Sequence, residues 1–242
     1  MYLEKESGGI RLDNKVEKMK NYSALGSWAI WESNRNDGEF IKEADLVEDI
    51  DFIKYENQLQ KSNTVFVAMN PGGEFDEGKS KLSTRKREDK ERPWNNFHNV
   101  GRSRDYLLAQ AIKNTPESGS YMTDFFPIIG SDSTKVKNFI NSEENKELVE
   151  KLVSELDEEI SLLLPQEKEV RLICIGNASF NWAKKYLINP EIPLNKDYKI
   201  FKIPHYSSSN NGGIKIKAEE LGVDNYYPEV VKTLLEKFRD EQ

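Results

Sequence analysis

Short apolar runs separated by longer amphipathic stretches organise the chain from about residue 60 onward. Four runs have strand length: residues 64–69 (TVFVAM), 121–124 (YMTD), 170–175 (VRLICI) and 198–203 (YKIFKI). Each ends at a polar or Gly/Pro site, and continuous apolar runs of this kind suit strands covered on both faces of a parallel sheet. Residues 103–113, 146–164, 178–187 and 227–238 read as helices. In the second of these, Val149, Leu152, Val153, Leu156, Ile160 and Leu163 recur at helical spacing. Right-handed crossovers then predict an α/β fold, a three-layer open sheet of about four parallel strands with helices on both faces. Ligands of such sheets bind beyond the carboxyl ends of the strands, so a site is expected just after each run.

The pattern before residue 60 differs. Residues 1–60 read as an N-terminal extension whose helical segments pack on the α/β domain of residues 61–242. The first 20 or so are polar enough to be mobile, SWAIW supplies a structural aromatic cluster with Trp28 and Trp31, and residues 41–60 fit a helix turning Leu46, Ile50, Ile53 and Tyr55 to the core.

Composition narrows the chemistry. The 242 residues include one Cys and two His, too few for a disulfide framework, a four-cysteine zinc site or an iron-sulfur cubane. Any metal would have to sit on carboxylates. The longest apolar stretches fall far short of the ~20 residues of a membrane helix, and no apolar region follows the charged N-terminus as a secretory signal would require. A soluble protein in a cytoplasmic, reducing setting is therefore the expectation, as is a monomer. The net charge is −7, yet residues 79–104 hold nine basic side chains against three acidic ones, a local +6. That run leaves the rim of the expected site, where Arg85, Lys86 and Arg87 could track a phosphate backbone; charge runs are also commonly solvated loops.

Beyond the first strand lies Asn70-Pro71-Gly72-Gly73, a tight turn with Asn70 at its mouth; Asn before Pro-Gly is also ordinary turn chemistry. Asp124 ends the second strand, as a reader of ligand or as a cap. Beyond the fourth comes a loop, residues 204–213, with His205 followed by hydroxyl, amide and glycine donors. An amide, a carboxylate and an imidazole thus converge on one rim. His98 and Cys174 are read as structural.

VFVAMNPGG followed downstream by IPHYSSSN resembles the uracil-DNA glycosylase superfamily, most closely its mismatch-specific and single-strand-selective branches. Ala68-Met69-Asn70-Pro71-Gly72 is similar to the family's G-x-N-P-G turn, His205-Tyr206-Ser207 to its H-P-S loop, and YMTDFFPI to the segment that reads the base. The resemblance implies hydrolysis of the N-glycosidic bond of a flipped base in DNA, single- or double-stranded, without a metal or cofactor. It implies that Asn70 orients the attacking water and His205 stabilises the departing base. Ala68, Met69, Pro71, Gly72, Asp124, Ser207 and Ser208 would line the substrate site, with one of Phe75, Trp94 and Phe97 stacking on the base. Ser209, Asn210, Asn211, Gly212 and Gly213 would meet flanking phosphates.

Two departures stand out. Tyr206 replaces the usual Pro, and Asp124 replaces the Asn of most uracil-excising relatives. An ionised Asp124 offers only acceptors and would repel a uracil carbonyl, which favours a substrate presenting donors; a protonated one would restore a donor. A nucleoside or nucleotide glycosidase, and a non-catalytic binder of nucleic acid or protein on the same fold, are the alternatives.

Overall fold

The computed structural model describes residues 14–98 and 104–241. Among them are five strands, β1 (Ser27–Trp28), β2 (Thr64–Ala68), β3 (Tyr121–Asp124), β4 (Glu169–Ile175) and β5 (Asp197–Ile203), in one sheet ordered β1-β3-β2-β4-β5. The four expected strands run parallel, with Ala68 level with Asp124 and Ile175 with Ile203. The fifth is antiparallel: Ser27 and Trp28 pair with Met122 and Tyr121 at the edge beside β3. Two residues are too few to show alternation, which is why SWAIW reads as a cluster rather than a strand.

Among the described residues eight α-helices accompany the sheet: α1 (Lys15–Lys18), α2 (Glu77–Lys81), α3 (Asp105–Ile112), α4 (Ser133–Asn141), α5 (Lys146–Leu163), α6 (Asn177–Ala183), α7 (Asn211–Leu221) and α8 (Tyr227–Asp240). Alternation along the strands divides the core in two. Val65, Val67, Tyr121, Leu172 and Cys174 cluster with the apolar stripe of α5, Val149, Leu152, Val153, Leu156 and Ile160. Phe66, Ala68, Met122, Ile173 and Ile203 cluster instead with Leu108 and Ile112 of α3 and Val230, Val231 and Leu235 of α8. The result is the three-layer α/β arrangement, because strands apolar on both faces need a helical layer on each.

Residues 14–60 are built into this frame: Met19, Tyr22, Leu25 and Trp28 are almost wholly buried. The helix expected over residues 41–60 is corrected to two short 3₁₀ segments, Glu43–Asp45 and Phe52–Gln58, and Ile53 faces solvent. Local carboxylates explain the break. Asp45 accepts from the amides of Ile41 and Lys42, and Asp51 from that of Ile53, turn bonds that compete with a helical ladder. The expected mobility of the first residues lies largely outside the described residues. None of the described helices is long and apolar enough to cross a membrane.

Candidate active site

The ends of β2, β3 and β5 open into a cleft of about 610 Å³. Its walls include Ala68, Met69, Asn70, Pro71 and Gly72 from the first turn, Asp124 from β3, and His205 with Ser207, Ser208 and Ser209 from the loop after β5. The turn after β2 is laced to the segment after β3: Gly130 N–H donates to Pro71, Ser131 N–H to Gly73, and Gly73 N–H to Ser131 Oγ. Gly73 sits at φ +143°, where an added Cβ would lie 2.5 Å from Ile129, so both backbone and space require glycine. Within this lacing Asn70 Nδ2 donates toward the carbonyls of Pro71, Ile128 and Gly130 at 2.8–2.9 Å. With the amide nitrogen fixed, Oδ1 has no hydrogen-bond partner among the described residues and is left as the acceptor of a cleft-lining side chain.

His205 is oriented through its other nitrogen. Ser207 N–H donates to His205 Nδ1 at 3.0 Å, so a neutral ring carries its proton on Nε2. Burial lowers its pKa from the usual histidine value and favours that neutral form. Asn210 Nδ2 donates to the His205 carbonyl at 2.9 Å. Gly176, at φ +93°, lets the end of β4 lie against the ring, since a Cβ there would be 3.4 Å from that of His205. Tyr206 stacks on the imidazole at 4.6 Å, hydrogen-bonds Asp105 and is buried beside Tyr227, whose hydroxyl donates to the Pro204 carbonyl at 3.0 Å. A buried, hydrogen-bonded tyrosine thus anchors the loop.

Asp124 is 2% exposed. Burial pushes its carboxyl up from 3.8 to about 7, with the nearby Glu159 charge in the same direction; the hydrogen bond from Asn96 and the Arg85 charge oppose it. Asn96 Nδ2 meets Asp124 Oδ2 at 2.8 Å. Burial thus brings the neutral carboxyl into the range near pH 7, the alternative in which Asp124 offers a donor.

Arg85 is also corrected. The sequence reading places it on a phosphate backbone, but its side chain is fully buried. Nε meets Glu159 Oε2 at 2.6 Å, Nη1 donates to the carbonyls of Asp124 and Phe125, and Nη2 to Thr123 Oγ1. Tyr121 Oη completes the network on Glu159 at 2.8 Å. Arg85 clamps the end of β3 that carries Asp124. Lys86 and Arg87 are exposed but line no part of the cleft. Carboxylates answer several basic residues of this run: Lys81 by Glu77, Lys86 by Glu158 and Arg92 by Glu48.

Of the three aromatic candidates, Phe97 lines the cleft. Phe75 packs edge-on against Phe139 at 5.9 Å, and Trp94 lies in the core against Trp28 at 5.8 Å. Asn211 and Gly212, read as loop, begin α7; Asn211 accepts from Arg104 at 2.9 Å. Asn96, Arg104 and Asp105 are cleft residues that the sequence reading missed, because no strand end points to them. His98 is buried under Trp31 and Phe52 with its pKa lowered to about 4, and Cys174 is buried in β4, both in structural positions. Among the described residues no group of three or more His, Cys, Asp or Glu side chains is gathered for a metal ion.

No family model, curated protein or solved structure matches this chain significantly.

Proposed function

We propose that the protein is a glycosylase of the uracil-DNA glycosylase-like kind, hydrolysing the N-glycosidic bond of a nucleobase held in the cleft. One observation carries the reading: the Asn70 side chain with its free carbonyl, the His205 ring with a proton on Nε2, and the Asp124 carboxyl line one cleft beyond the strand ends. Bond cleavage leaves negative charge on the departing base and positive charge on the sugar. His205 Nε2–H donates to the base oxygen on which that charge gathers, and a neutral donor suffices. Asn70 Oδ1 accepts a hydrogen bond from the attacking water and aims the water's lone pair at the sugar carbon, and the proton that the water loses ends on the departing base anion. Asp124, when protonated, donates to a base carbonyl, and Phe97 offers a ring at the wall. The scheme draws on no metal or cofactor. DNA as partner, a monomeric state and a cytoplasmic location belong to the same proposal.

A second reading, a glycosidase of free nucleosides or nucleotides, draws support from the burial of Arg85 and the pairing of Lys81, Lys86 and Arg92, which leave less free positive charge than the sequence suggests. Oligonucleotides bearing uracil, hypoxanthine or xanthine, scored for abasic sites beside the matching free nucleosides scored for base release, separate the two. Base release from nucleosides alone selects the second reading.

A further inference from the structure

Around the loop after β5 the molecule carries another cleft, of about 450 Å³, that shares His205, Ser207 and Ser209 with the first. Its lining also includes Lys202 of β5 and Lys217 of α7. Among the described residues lining it, Glu220 is the one carboxylate, and it pairs with Lys217 three residues away on the same helix. Lys202 Nζ is held 3.1 Å from Asn177 Oδ1 and 5.5 Å above the Phe180 ring. Two ammonium groups, two hydroxyls and one carboxylate make a donor-rich recess of net positive charge.

From these residues we infer that the second cleft is a phosphate subsite, with Lys202 and Lys217 as its cations. A ligand whose base lies between Asp124 and His205 must direct its sugar away from them, and the shared wall of Ser207 and Ser209 leads to the two lysines. Phosphate oxygens suit such a place, since they only accept hydrogen bonds and gain most from charged donors. The inference deepens the proposed function and rests on it for the placement of the base. It moves the electrostatic contact from the run containing Arg85 to the opposite end of the chain. The phosphate belongs to a nucleic-acid strand or to a free nucleotide, which share this chemistry.

The test is binding. A fluorescent single-stranded oligonucleotide and a deoxynucleoside 5′-monophosphate, paired with its unphosphorylated nucleoside, are titrated into the full chain over a range of salt. Lys202→Gln with Lys217→Gln should weaken strand binding about tenfold at low salt and reduce the salt slope by ~1.4, two phosphate contacts at ~0.7 each for single strands. Lys202→Arg with Lys217→Arg should restore binding, which separates charge from folding. Lys86→Gln should change neither quantity. Lysine dependence of the monophosphate alone would support the subsite and assign it to free nucleotides. Affinity and slope unchanged in the double Gln variant, for both ligands, would overturn it. Because the readout is binding, failure of every glycosylase assay beside a lysine-dependent phosphate affinity would remove the enzyme and keep the subsite.

Discussion

Ser207 N–H occupies Nδ1 of His205, and three backbone carbonyls surround Nδ2 of Asn70. Each side chain therefore presents its remaining polar atom with little freedom to turn, as preorganised catalysis requires. Replacing either by Ala is expected to cut base excision by ~10²–10³, the loss typical of a removed oxyanion donor, measured as single-turnover rates on folded variants. Wild-type rates would take the residue out of the mechanism. Asp124 makes a different prediction. Its carboxyl titrates at about 7, so excision of a base read through a carbonyl should decline as pH rises through that value, and Asp124→Asn should flatten the profile. The same shift acts on stability. A carboxyl raised from 3.8 to about 7 on folding contributes stability that is full below 3.8 and is lost as pH rises through about 7. Chemical denaturation at pH 5 and pH 8 should show Asp124→Asn losing that pH dependence. Residue type and strand-end position announce these three groups in the sequence; the state of Asp124 is not legible there, because it depends on burial and on Asn96, which arrives from a distant loop.

The β3 strand shows how an element far from a charge run can depend on it. Only four residues long, it ends at Asp124, and Arg85 bonds Thr123, Asp124 and Phe125 while pairing with Glu159 of α5. Arg85→Met leaves the Glu159 carboxylate buried without its cation, a change expected to cost about 3–5 kcal/mol. Urea denaturation of Arg85→Met checks this, and Glu159→Gln added to it should recover part of the loss; a variant as stable as wild type would make the clamp incidental. The run of basic letters does not distinguish a buried arginine from its exposed neighbours. That distinction depends on which carboxylate another helix brings, and Glu159 lies 74 residues away in the chain. Parallel strands and long helices are legible for the opposite reason. Their periods are local, and β2, β4, β5, α5 and α8 lie within a few residues of their expected bounds.

At the scale of the molecule, residues 14–60 finish the sheet. Trp28 of β1 is fully buried between Trp94 and Tyr121, and Trp28→Ala should cost about 3–5 kcal/mol, the usual loss for a large aromatic truncated in a core. A Tm equal to wild type would return this segment to the status of an appendage. The same edge packs against the loop that carries Asn96 and Phe97, since Asn96 Nδ2 donates to the Leu25 carbonyl and Trp31 Nε1 to that of Phe97; sheet edge and cleft wall are one construction. The central claim is that this cleft cleaves a glycosidic bond, and abasic-site formation tests it most directly. Single- and double-stranded oligonucleotides carrying uracil, hypoxanthine or xanthine are incubated with wild type and with Asn70→Ala at a pH below about 7, where Asp124 is mostly neutral. The account predicts abasic sites from at least one lesion, reduced ~10²-fold or more in Asn70→Ala; no abasic site from any lesion, or equal yields from the two proteins, would contradict it.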